Sequence, residues 1–178
     1  SHINHVLEAT GDVLVCGLGM GYYITQIVAK PDVNSVTIIE KDIEVIQAYN
    51  QLIESNPEAF SNNKVYIIHG DMFEEIPKLD KSFKFNYAYL DIWLDMCFDE
   101  ISSDFEKLND VGGINSTKVG FWGMEKFVYN HFIRYQHECG ADEMLELIKE
   151  ELCNDFGEVM EWCYKPSIEL FIQLDVGN

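Results

Sequence analysis

Asp12-Val-Leu-Val-Cys16-Gly17-Leu-Gly19-Met-Gly21-Tyr22 decides the reading of this chain. Four apolar residues, Val13 to Cys16, run straight into three glycines at alternate positions, and a helical pattern opens behind them. An apolar run of that kind fits a parallel strand buried on both faces. The glycines fit a tight turn at a helix N-terminus, where the backbone can come close to a nucleotide-like ligand. Glycine suits both tasks because a Cβ would obstruct the turn and the ligand alike. Tight strand-to-helix turns also arise from packing alone, so the loop needs support from elsewhere in the chain.

That support lies downstream. Ile24, Ile27 and Val28 share a helical face, and Lys30-Pro31 ends the helix. Ser35-Val-Thr-Ile-Ile39 is β-branched and apolar, a second buried strand, and it leads into Glu40-Lys41-Asp42. Asp42 is a good N-cap for a helix whose apolar face is Val45, Ile46, Tyr49, Leu52 and Ile53. Glu40 stands 40 − 17 = 23 positions beyond Gly17. A spacing of about 20 brings an acid beside such a loop, where it can accept from both ribose hydroxyls. A third strand, residues 64–69, runs into Gly70-Asp71, and Asp71 is placed to accept from an exocyclic amine. A fourth, residues 85–90, runs into Asp91-Ile92-Trp93. In an open parallel sheet these strand tips line one crevice, the usual ligand site.

The succession Gly17-Leu-Gly19-Met-Gly21, Ile39-Glu40-Lys41-Asp42, His69-Gly70-Asp71 and Leu90-Asp91-Ile92-Trp93 resembles the class I S-adenosylmethionine-dependent methyltransferase superfamily, and within it the spermidine-synthase-like branch, over roughly residues 10–95. The resemblance implies an α/β, Rossmann-like three-layer sandwich with a mostly parallel sheet. It implies S-adenosylmethionine, or its decarboxylated form, as cofactor. Gly17, Gly19 and Gly21 would then admit the methionine part, Glu40 would hold the ribose hydroxyls, Asp71 the adenine amino group, and Asp91 would face the reacting end. Two positions depart from the pattern. The acid that methyltransferases usually carry two positions before the first glycine is Val15 here, and the Asp-Ser-x-Asp of aminopropyltransferases is Asp91-Ile-Trp-Leu-Asp95. A nicotinamide dehydrogenase would need a glycine where Tyr22 stands.

The second half is less legible. Residues 96–110 read as a helix with Phe98, Ile101, Phe105 and Leu108 on one side, and Asn109 to Gly113 as a turn. A fifth parallel strand would fall in 114–122, a stretch too rich in glycine and polar residues to assign. Residues 124–137 have an aromatic, helical rhythm, and 142–153 an acidic amphipathic one with Glu146 and Glu150 outward. Residues 158–164 and 168–174, joined through Lys-Pro-Ser, read as a C-terminal antiparallel hairpin at the sheet edge.

The 178 residues suit a single domain, with a cofactor half of about 10–95 and a closing half of about 96–178. A net charge of −19 repels phosphate backbones, which argues against nucleic acid and suits a cationic small-molecule acceptor or a basic partner; the plainer account of it is a solubilising surface. Lys78, Lys81 and Lys84 come nearest to a basic cluster. No apolar run approaches the ~20 residues of a membrane span, and no secretory leader is visible. Five cysteines without a Cys-x-x-Cys pair suit a reducing cytoplasm. His131, His137 and Cys139 are close in sequence, but the two histidines do not share a helix face, and no metal is expected. A homo-oligomer is left open.

For chemistry, Asp91 is the candidate to orient an acceptor and take its proton, with Trp93 as an aromatic wall able to meet a cation. Three readings follow: methyl transfer to a small-molecule or protein acceptor, aminopropyl transfer to a polyamine, or a module that holds the cofactor without turnover.

Overall fold

Each of the four apolar runs becomes a parallel strand. The computed structural model describes residues 3–57, 64–95, 97–123 and, further on, Glu143, Glu146, Leu147 and Glu150. The elements follow in the order α1 (Ile3–Glu8), β1 (Gly11–Cys16), α2 (Tyr22–Val28), β2 (Val33–Glu40), α3 (Ile43–Ser55), β3 (Val65–His69), α4 (Met72–Glu75), β4 (Tyr87–Leu90), α5 (Phe98–Asp110) and β5 (Val119–Phe121), with a 3₁₀ turn at Ile76–Lys78 after α4. The sheet order is β3-β2-β1-β4-β5, and all four ladders are parallel. This is the expected Rossmann-like α/β fold. The C-terminal hairpin, the helix expected over 124–137, and His131, His137 and Cys139 lie outside the described residues. Of the helix expected over 142–153, the four described residues are helical, with Glu146 and Glu150 exposed.

Two compact units make up the chain. The first, residues 1–94 with 107–122, holds the whole sheet and α1 to α4. The second, residues 95–106 with 123–178, includes the first turns of α5, in which Ile101 and Phe105 are buried. No helix among the described residues is long and apolar enough to cross a membrane.

Within the first unit, Val13 to Cys16 and Tyr87 to Leu90 are completely covered, as central parallel strands should be. Burial pushes the Cys16 thiol well above its usual range, which keeps it an inert core residue. β3 is an edge strand and leaves Tyr66 exposed. β5 is the strand that periodicity misses. It is only Val119-Gly120-Phe121, and a Cβ on Gly120 would overlap the Tyr87 hydroxyl and His5 Nδ1. Tertiary contact dictates the glycine there, against local strand preference.

α1 is also absent from the sequence reading. Its six residues are too few to be stable on their own. Contacts from outside the helix hold it, among them those of His5 and Lys30. His5 is only 2% exposed, its Nδ1 hydrogen-bonded to the Tyr87 hydroxyl at 2.8 Å and its ring 4.6 Å from that of Tyr89. Lys30 Nζ donates to the main-chain oxygens of Val6, Leu7 and Ala9 at 2.9, 3.0 and 2.6 Å, capping the open carbonyls of α1. Lys30 therefore does more than stop α2. Lys30→Met is expected to lower unfolding free energy by about 1.5–3 kcal/mol, the range for charge-assisted hydrogen bonds to a partly buried group. Urea unfolding checks this, and a wild-type midpoint would refute the capping role.

Candidate functional site

The register of the sheet brings the strand ends level. Cys16 pairs with Ile39 on one side and Leu90 on the other, and Glu40 pairs with His69. The hydrogen bonding continues one step past each strand: Gly17 N–H donates to the Ile39 oxygen, Asp91 N–H to the Cys16 oxygen, and Gly70 N–H to the Glu40 oxygen. The tips of β3, β2, β1 and β4 thus form one rim, about 14 Å long at a strand spacing of ~4.8 Å. β1 sits at its centre, with β2 to one side and β4 to the other, the switch point where open α/β sheets bind ligands.

The three loop glycines have different duties. A Cβ on Gly17, at φ 90°, would overlap the main-chain carbonyl of Asp91. A Cβ on Gly21 would stand 2.9 Å from the ring of Tyr49, whose hydroxyl is pushed up to about 12 by burial. Both glycines make room for the protein itself. Around Gly19, at φ 52°, nothing lies within 4 Å of a Cβ position. Among the described residues, the N–H groups of Gly19 and Met20 also take no hydrogen-bond partner. The crest of the loop is therefore the part open to a ligand.

Glu40 is 8% exposed at the end of β2, and backbone rather than a cation balances its charge. Its Oε2 accepts from Leu18 N–H at 2.7 Å, and its Oε1 from Asp42 N–H at 2.8 Å. One carboxylate thus ties the glycine loop to the start of α3, whose N-terminal dipole also favours an anion. Each oxygen can still accept another hydrogen bond. Asp42 caps α3 as expected, accepting from Glu44 N–H at 2.8 Å. Asp71 has a structural duty the sequence reading did not assign. It caps α4, accepting from Phe73 N–H at 2.9 Å through Oδ1, and its Oδ2 remains for an outside donor.

Asp91 is half-buried, and a cavity of about 150 Å³ opens beside it. Val15, Gly17, Leu18, Met20, Tyr22, Tyr23, Ile24 and Tyr89 complete the lining. Val15 is thus an apolar wall of this cavity. Tyr23 and Tyr89, whose rings meet at a tilt with centroids 4.3 Å apart, were missed as lining residues because their helical and strand periodicity reads simply as core. Trp93, expected as an aromatic wall for the acceptor, is 6% exposed, meets Phe121 edge-on at 5.9 Å and is not among the residues lining this cavity. No group of metal-binding side chains occurs among the described residues.

The family model of the spermine/spermidine synthase domain matches residues 2–108. Among solved structures, a spermidine synthase from Thermotoga maritima is 20% identical over 49% of this chain and 30% of its own, with a TM-score of 0.39. A spermidine synthase in complex with the transition-state analogue AdoDATO is 18% identical over 64% of this chain and 37% of its own, with a TM-score of 0.44. A putative caffeoyl-CoA O-methyltransferase from Staphylococcus aureus is 19% identical over 92% and 69%, with a TM-score of 0.46. The chain spans about a third of the length of the two spermidine synthases it matches. No curated protein matches its sequence.

Proposed function

The chain belongs to the spermine/spermidine synthase domain family, and from that premise we propose that it binds S-adenosylmethionine or its decarboxylated form along the carboxyl rim of the sheet. There it transfers an alkyl group, methyl in the first reading, to a nucleophilic acceptor. The observation that carries this is Glu40: a buried carboxylate, fixed by two backbone donors, with acceptor capacity in hand and one strand away from an open glycine crest.

The residues fit such a group. Glu40 accepts from the ribose hydroxyls, Asp71 Oδ2 from the exocyclic amine, and the N–H groups of Gly19 and Met20 donate to the part lying over the loop. When bound, the cofactor supplies an electrophilic carbon attached to a sulfonium leaving group. The protein's share is to align the acceptor and exclude water. Asp91 orients an amine or hydroxyl and takes its proton. Tyr23 and Tyr89 wall the small cavity beside it. With a net charge of −19, the chain favours an acceptor that is a cationic small molecule. The family match favours a second reading, aminopropyl transfer to a polyamine, in which the same residues keep the same roles.

Calorimetry with each form of the cofactor, followed by mass spectrometry against an amine panel, tests both readings. Binding without turnover would mark a non-catalytic module. Asp71→Asn keeps an oxygen for the α4 cap, and Glu40→Gln swaps one acceptor for a donor that faces a backbone N–H. Each is expected to weaken cofactor affinity by about tenfold or more, the worth of a charge-assisted hydrogen bond. Thermal unfolding runs alongside to separate lost binding from lost fold. Wild-type affinity in both variants would remove the cofactor site.

A further inference from the structure

The amino-terminal rim of the sheet carries a second concavity that the transfer chemistry does not use. A cleft of about 370 Å³ lies where the chain enters β4 and β5, within the roughly 300–1,000 Å³ of small-molecule sites. Phe85 is in its wall, six residues before Asp91, so at ~3.3 Å per extended residue it is about 20 Å from the carboxyl rim.

Its walls are apolar: Ile76, Leu79, Val111 and Ile114, with Phe83 and Phe85 in an edge-to-face pair at 5.0 Å. Phe83 is 44% exposed, which leaves a ring face for stacking. Two polar side chains of the lining, Asp80 and Asn115, are held within the loop itself. Asp80 accepts the Ser82 N–H and hydroxyl at 2.8 and 2.7 Å, inside its own turn. The Asn115 amide donates to the main-chain oxygens of Lys81 and Phe83 at 3.0 and 2.9 Å, fixing the loop. The Lys81 ammonium makes no hydrogen bond or ion pair among the described residues. Residues 78–84 carry Lys78, Lys81 and Lys84 against Asp80 alone, in a chain with 31 acidic and 12 basic residues. Lys78 is paired with Glu75 at 2.7 Å and lies off the lining, whose cation is Lys81, beside Asp80.

We propose that this cleft is a binding site for a small aromatic carboxylate, its ring against Phe83 and its carboxylate on Lys81. An anion is drawn to a locally basic stretch of an acidic chain, and the ring removes apolar wall from water.

Amide chemical-shift mapping of the full chain with 2-naphthoate tests the site, with naphthalen-2-ylmethanol as the neutral analogue. Shifts are expected at residues 76–85 and 111–115 and not at 17–21. Lys81→Met, an exposed substitution that keeps the aliphatic stem, is expected to weaken 2-naphthoate by about tenfold, the worth of a charge-assisted contact. Lys81→Arg should restore binding, and Lys84→Met, off the lining, should leave it unchanged. The proposal is overturned by shifts confined to the glycine loop or absent altogether. It is equally overturned if the neutral analogue binds as tightly as the acid, or if Lys81→Met and Lys84→Met lose the same affinity.

Discussion

Gly17→Ala is expected to cost the protein about 4 kcal/mol or more, enough to unfold a domain whose whole stability is of order 5–15 kcal/mol. Two independent penalties fall on the same methyl group. At φ 90°, an alanine backbone is strained, at about 1–3 kcal/mol for a non-glycine residue in such a region. The added Cβ would also overlap the Asp91 carbonyl, and that carbonyl belongs to backbone that cannot swing aside as a side chain would. The Asp91 N–H is bonded to the Cys16 oxygen at 2.7 Å, so moving it breaks the β1–β4 ladder at its carboxyl end. Gly19→Ala is the control. Its φ of 52° lies in the left-handed region, at about 1 kcal/mol for alanine, and its methyl group meets nothing. Circular dichroism in urea should show Gly17→Ala largely unfolded and Gly19→Ala folded, with the loss in Gly19→Ala falling on cofactor affinity. Equal stability of the two variants would mean that the loop relaxes freely, and that Gly17 is not holding the two central strands together.

The glycine loop also marks how far the sequence could be read. Spacing alone put three glycines, Glu40, Asp71 and Asp91 at neighbouring strand tips, because long apolar runs define β1 to β4 and a parallel register does the rest. It could not divide the glycines by duty, since that depends on what each Cα faces: Asp91 backbone, open space, or the ring of Tyr49. Nor could it see that Glu40 and Asp71 already accept backbone N–H groups, because those bonds form only once loop and helix start are assembled. α1 and β5 were illegible for the same reason. Each is too short to carry a period, and each is fixed by contacts distant in sequence: Lys30 on the carbonyls of α1, and His5 with Tyr87 against Gly120. Local pattern shows where backbone hydrogen bonds can repeat, and tertiary contact decides the remaining short pieces.

Asp91→Asn should separate binding from chemistry. The substitution preserves shape and the backbone bond from residue 91 to Cys16, so the rim keeps its register. It removes only the ability to take a proton. If the acceptor reaches Asp91 through a protonated amine or a hydroxyl, turnover falls by about 10²–10⁴, the usual worth of a positioned general base. Cofactor affinity stays within about threefold, because the lost interaction belongs to the transition state and not to the bound ground state. Calorimetry measures the second quantity, and single-turnover mass spectrometry the first. A variant that turns over at the wild-type rate would shift the proton elsewhere, to the acceptor's own solvent shell, and leave Asp91 as part of the wall beside Tyr89. A variant that loses cofactor and turnover together would place Asp91 among the binding residues with Glu40, where the amide cannot replace its charge.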